Sequence, residues 1–229
     1  MKTLSPAPIH GKTGLLHPTM RPEFLALLFP AVFLLLGGFA VAAALKQQRR
    51  AREQLAGLAR RFGLELRRPP SRFGFEPLPT VEGRYRNRAV RFYTYTTGSG
   101  KNSTTWGAVS AAAGGAGGFT LELFPENFLV RMATALGLQD IQVGDPAFDR
   151  AFIVKSNDPA YAAAALLPEI RARLLAERQR GAHGRLSIKG GEVQYAEVGG
   201  FGNEARVNRL ADLLEAICDL AEVAEVYKA

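Results

Sequence analysis

Hydrophobic positions along this chain change their pattern repeatedly, and each change marks an element. From Phe24 to Leu45 they are unbroken: the 22 residues include no charged side chain and no Asn, Gln, Ser or Thr. As a helix rising ~1.5 Å per residue, such a run is roughly 33 Å long, enough for a bilayer core of about 30 Å. A core helix of a globular domain keeps a polar stripe, and this run has none. The pattern predicts a transmembrane helix over 24–45, kinked or restarted at Pro30. Residues 1–23, with Pro6, Pro8, Pro18 and Pro22, read as a disordered tail. Over 46–66 the pattern becomes periodic: Ala51, Leu55, Leu58 and Phe62 recur at helical spacing among arginines, and Gly63 supplies a terminator. This predicts a basic juxtamembrane helix, followed by a proline-rich linker over 67–80.

Alternation takes over in the remaining domain, 81–229. Val90 and Phe92 alternate with Arg91, Tyr93 and Tyr95, as in a strand with one buried face, and Asn87 provides a tight turn before them. Strands are expected at 81–86, 88–97, 103–110, 119–124 and 151–156, with a brief one at 141–143 and a flexible Ala/Gly connection over 111–118. Leu186–Lys189 and Val193–Glu197 flank Gly190-Gly191, a strong hairpin signal. Helices are expected over 125–136, at 146–150, from the Asp158-Pro159 cap to Leu166, from Pro168 to Arg180, and over 205–227. The last of these has a stripe of Val207, Leu210, Leu214, Ile217 and Ala221. Strands, helices, a hairpin and a helix in this order give an α+β class: an N-terminal transmembrane helix, then one domain with a mainly antiparallel sheet and packed helices.

Charge refines the picture because it is uneven. Residues 46–68 carry a net +6, whereas residues 69–229 sum to zero within a chain of formal charge +8. A basic chain raises the question of nucleic acid. Here the excess flanks the apolar run, so the expected partners are the lipid bilayer and its anionic headgroups, with no nucleic acid. The expected membrane-surface contacts are Lys46, Arg49, Arg50, Arg52, Arg60 and Arg61. The positive-inside rule puts the large domain in the cytoplasm and the N-terminus outside. Gly38 and Ala42 have the small-xxx-small spacing that allows a homo-oligomer through close helix contact. The single cysteine, Cys218, excludes an intrachain disulfide and reads as a buried thiol.

Phe152-Ile-Val154-Lys-Ser156-Asn-Asp158 and the later Leu166-Leu167-Pro168-Glu169, with the upstream Tyr93–Lys101 hairpin, resemble a pattern in uncharacterised bacterial single-pass membrane proteins. The resemblance extends over about residues 50–227. It implies a membrane-tethered domain and brings no chemistry with it.

Motifs with chemical meaning are few. Gly98-Ser99-Gly100-Lys101-Asn102 lacks the first glycine, the hydroxyl residue after the lysine and the following helix that a P-loop needs, and reads as a hairpin turn. Gly199-Gly200-Phe201-Gly202 precedes a helix but has no lysine or hydroxyl set for an anion. His183 stands alone, and His10 and His17 lie in the tail. Asp145, Asp149, Asp158 and Glu169 are dispersed among turns and caps. Trp106, Tyr93 and Tyr95 alternate on strands, either as sheet packing or as a binding face. No catalytic residue, cofactor or metal site is expected. The favoured function is a non-enzymatic membrane-anchored cytoplasmic domain for interaction with an unknown protein partner or for membrane-proximal scaffolding. The alternatives are an exported domain behind a signal peptide or stalk and, third, a small-ligand enzyme. Ala40-Val41-Ala42 fits a cleavage pattern, but the run is longer than a signal core and arginines follow it, so an uncleaved anchor is preferred.

Overall fold

The computed structural model describes residues 22–70, 77–126 and 141–227. The chain divides into two compact units, Met1–Ala44 and Leu45–Ala229. The tail over 1–21, the middle of the proline-rich stretch (71–76) and most of the helix expected over 125–136 lie outside the described residues.

Helix α1 runs Pro22–Phe62. The expected transmembrane helix is corrected here, because among the described residues no helix is long and apolar enough to cross a membrane. The described side chains of α1 begin at Val32, so those of 24–31 lie outside the described residues. Lys46, Arg49, Arg50, Arg52 and Glu53 follow the apolar run. In the first unit Phe33, Leu34, Leu35, Leu36 and Phe39 are exposed.

The second unit is an α+β domain. Among the described residues its sheet has eight strands, β1 (Glu65–Arg67), β2 (Thr80–Tyr85), β3 (Arg88–Thr97), β4 (Thr104–Ala112), β5 (Leu121–Pro125), β6 (Phe152–Ser156), β7 (Arg185–Lys189) and β8 (Glu192–Val198). They lie in the order β1-β2-β3-β4-β8-β7-β5-β6, and every neighbouring pair is antiparallel. Two turns fix the register. Arg86 and Asn87 take φ 49° and 64°, and Gly190 and Gly191 take φ 60° and 75°. Two consecutive left-handed residues are what a two-residue hairpin needs to match the twist of its strands. Among the described residues the helices after α1 are α2 (Pro146–Ala151), α3 (Pro159–Ala165), α4 (Pro168–Gln179) and α5 (Glu204–Glu225). Asp145, Asp158 and Asn203 cap α2, α3 and α5 by accepting from backbone N–H groups of the first turn.

Alternation sorts the strand residues into two faces. On one, Val81, Val90, Phe92, Val109, Ala111, Leu121, Leu123, Val154, Leu186, Ile188 and Val193 join a single buried cluster with α5 and the other helices. The C-terminal part of α1 belongs to this core: Leu55 is fully buried, and Ala51, Leu58 and Ala59 are buried beside it. The stripe at 51–62 thus serves the domain interior. Residues 113–119 are ordered by a run of turns (Ala116 N–H to Ala113 O, Phe119 N–H to Ala116 O), and Ala113 and Ala116 are buried. Residues 141–143 form no strand, although Ile141 N–H donates to Val154 O on β6.

Candidate interaction face

The opposite face of the sheet is a different construction. Arg91, Tyr93, Tyr95 and Thr97 on β3 register beside Ser110, Ala108, Trp106 and Thr104 on β4. Trp106, Ala108 and Ala196 form their own buried cluster, with Tyr93 and Tyr95 packed on it. Among the described residues no helix lies on this cluster. The aromatics form a ladder across the strands. The Arg91 guanidinium lies 4.9 Å from the Tyr93 ring centre. Tyr93 and Tyr95 are 6.0 Å apart, and Tyr95 stacks on Trp106 at 6.2 Å and 10°. The Arg185 guanidinium closes the ladder 4.9 Å from the Trp106 ring centre. Each cation–π contact contributes ~0.5–1 kcal/mol at an exposed site and more when desolvated.

Hydrogen bonds hold this ladder flat. Trp106 Nε1–H donates to Thr97 Oγ1 at 2.8 Å. Arg185 donates to the Tyr95 hydroxyl at 2.9 Å, and Gln194 Nε2 donates to the Tyr93 hydroxyl at 2.5 Å. Burial raises the Tyr93 phenol pKa above its ordinary value, and the nearby Glu192 carboxylate adds to the rise. The phenol therefore stays neutral. Arg91 is also paired with Glu192 at 2.7 Å.

Beside the ladder, over β7, lies a concavity of about 390 Å³ lined by Glu122, Phe124, Arg185, Ser187, Lys189, Glu192 and Gln194. Arg185, Ser187 and Lys189 face it because Leu186 and Ile188 face the helices. Within it, Glu122 Oε2 is shielded from solvent and has no hydrogen-bond partner.

The expected membrane-surface residues are all on α1. Lys46, Arg49, Arg50 and Arg60 are exposed. Arg61 is exposed as well but pairs with Asp212 at 3.1 Å. Arg52 is half-buried and lines a cavity with Glu53, Ala56, Leu66, Arg68 and Pro79. Gly38 and Ala42 lie in the first unit, where a Cβ added at Gly38 meets nothing within 4 Å.

The remaining motifs fall into structural roles. Gly100–Asn102 is a 3-10 turn between β3 and β4, and Lys101 is exposed on it. The loop 199–202 does meet cations: Arg206 donates to Gly200 O at 2.9 Å. Those cations are taken by Glu197, which is buried and accepts from Arg209 at 3.0 and 2.7 Å, with Arg206 3.7 Å away. Tyr195 donates to the same carboxylate at 3.2 Å and accepts from Gly184 N–H at 3.1 Å. Burial pushes the Tyr195 phenol well above its ordinary pKa, and Glu197 pushes it further. A side chain at Gly184 has no room, because its Cβ would fall on the Tyr195 ring. His183 Nδ1 is 2.5 Å from Arg178. Asp149 accepts from Val143 N–H at 2.9 Å, and Glu169 lies in the first turn of α4. Cys218 is buried in α5, and burial first of all pushes its thiol up to about 11. Among the described residues no group of three His, Cys, Asp or Glu is placed to hold a metal.

Arg185 and Gln194 are the members of this face that the motifs miss. Alternation around Leu186 and Ile188 puts residue 185 on the open side, but only the order β4-β8-β7 brings it over Trp106.

No family model and no curated protein matches the chain. Among solved structures, the crystal structure of the mycobacterial trehalose monomycolate transport factor A, TtfA, is similar over 75% of this chain and 96% of that one. The identity is 12% and the TM-score 0.42, a likeness that carries no argument about function.

Proposed function

We propose that this chain is a non-enzymatic, membrane-anchored interaction module. On this reading the second unit is held near anionic headgroups by the exposed cations of α1 and offers its open sheet face to a protein partner. The observation that supports it best is the cation-capped aromatic ladder, Arg91–Tyr93–Tyr95–Trp106–Arg185, on the sheet face away from the helices. Aromatic and arginine side chains are the residues in which binding energy concentrates at protein interfaces. The exposed Lys46, Arg49, Arg50 and Arg60 supply the membrane term, at ~1 kcal/mol per cation close to an anionic surface. The reading places the domain at the cytoplasmic leaflet, where such lipids reside, so a C-terminal fluorescent fusion is bright and a C-terminal alkaline phosphatase fusion inactive.

The test uses the full chain, because removing residues before 69 would take Leu55 and Leu58 out of the domain core. Sedimentation is compared on phosphatidylserine and phosphatidylcholine vesicles as salt rises. The expected result is stronger binding to phosphatidylserine that converges on the neutral-lipid value at high salt, and a smaller gap in a variant with Lys46, Arg49, Arg50 and Arg60 all changed to Gln. A gap that survives both salt and the four substitutions, or an active phosphatase fusion, overturns the reading.

A further inference from the structure

The concavity over β7 has a spacing and a charge order of its own. Arg185 and Lys189 stand at its two ends, four residues apart on one strand face with Ser187 between them. At ~3.3 Å per residue their Cα atoms are about 13 Å apart. Arg185 is engaged by the Tyr95 hydroxyl and the Trp106 ring, and Lys189 is exposed, with Glu192 opposite it in the register. The middle of the groove differs from its ends. Ser187 registers directly beside Glu122, the carboxylate whose Oε2 has no hydrogen-bond partner. Glu192, which registers beside Lys189, is held by Arg91. The order along the groove is therefore cation, then a polar floor with an unsatisfied acceptor, then cation.

We propose that this groove binds an extended acidic segment of a partner protein, laid along β7 with carboxylates at positions i and i+4 and a hydrogen-bond donor at i+2. An extended segment repeats its side chains on one face every ~6.6 Å, so its i and i+4 positions match the backbone spacing of Arg185 and Lys189. The donor at i+2 meets Ser187 and Glu122, and an acidic residue there is repelled. Carboxylate against Arg and Lys gives charge-assisted hydrogen bonds, the strong class. The inference rests on the reading of the open face as an interaction surface and specifies its partner.

Trp106 is the only tryptophan in the chain and carries Arg185 on its ring, so its emission reports on the groove. The full chain is titrated at low salt with a peptide containing Glu-Ala-Asn-Ala-Glu, with the same peptide carrying Lys in place of both Glu, and with one carrying Glu in place of Asn. The first peptide is expected to give a saturable change that weakens at least tenfold in Lys189→Glu and in Arg185→Gln, with both variants keeping the parent's circular dichroism. The lysine peptide gives no change, and the triple-Glu peptide binds more weakly than the first. Lys189 is exposed and outside the ladder, so its variant separates loss of the groove from loss of fold. No saturable change with the first peptide, equal binding by Lys189→Glu, or a change produced by inorganic phosphate or phosphatidylserine vesicles instead of the peptide overturns the proposal. If the acidic peptide fails while partner cross-links still come from the open face, the interaction reading stands and only the acidic specificity falls.

Discussion

The two faces of this sheet come from the same strands and the same alternation, yet they are filled on different principles. The helix-covered face is aliphatic and phenylalanine-rich, with Phe92, Leu121, Leu123 and Ile188 essentially without solvent contact. Its buried Glu197 is held by two arginines and a tyrosine. The open face carries one buried tryptophan, two half-buried tyrosines and cations at both ends of the stack. Covering apolar surface accounts for most of the first face. The second keeps large rings partly exposed and charged groups in ordered positions, at a cost in side-chain entropy that a fold alone does not require. On the proposed reading, stability and recognition fall to opposite sides of one sheet.

If so, substitutions on the two faces separate by size of effect. The largest is expected at Glu197→Ala, which leaves Arg209 and Arg206 without their carboxylate in the interior. Breaking a buried pair on one side costs roughly 3–5 kcal/mol, read as a shift of the urea midpoint. Next comes Leu55→Ala. Truncating a fully buried leucine costs about 2–5 kcal/mol. A loss below ~0.5 kcal/mol would show that α1 is not part of the domain core. On the open face, Tyr95→Phe removes only the hydroxyl that accepts from Arg185. An ordinary hydrogen bond nets about 0.5–1.5 kcal/mol, so the shift in midpoint is small beside the first two.

The smallest effect is visible only in acid. Arg88 pairs with Glu225 at 2.5 Å and holds its carboxylate below the ordinary range, by direct hydrogen bonding above all, while Gly114 N–H donates to the same group at 2.8 Å. A depressed carboxylate contributes stability that is fully present above its unfolded pKa and is lost as pH falls through the folded value. Unfolding followed from pH 6 downward should therefore show a loss in the wild type below about pH 4.5 that is reduced in Arg88→Gln. Identical acid limbs would show the pair to be inert.

Much of this was legible from residue order. The alternation of Val90 and Phe92 with Arg91, Tyr93 and Tyr95 foretold one buried and one open face. Asn87 and Gly190-Gly191 foretold the two hairpins, and Asp158 its cap. Two things were not legible. An amphipathic stripe at 51–62 says that one side is buried but not against what, and here it meets the domain core. An apolar run does not by itself establish a membrane span, and no helix among the described residues meets that requirement. The ladder was half legible. Tyr93, Tyr95 and Trp106 stood out, but Arg185 reaches Trp106 only because β8 and β7 follow β4 in the sheet, a long-range order that no local pattern encodes. The same holds for Glu197 and Arg209, which sit 12 residues apart and meet across a strand and a helix.

The most direct test of the division between faces is position-specific photo-crosslinking of the full chain in its native cells. A photoreactive residue is placed at Ser187 or Thr104 on the open face, and at Glu215 or Glu222 on the outer side of α5. The account predicts protein cross-links from Ser187 and Thr104 that Lys189→Glu or an excess of the Glu-Ala-Asn-Ala-Glu peptide suppresses, and none from Glu215 or Glu222. Protein cross-links confined to α5, or an open face that reacts with nothing, would contradict it.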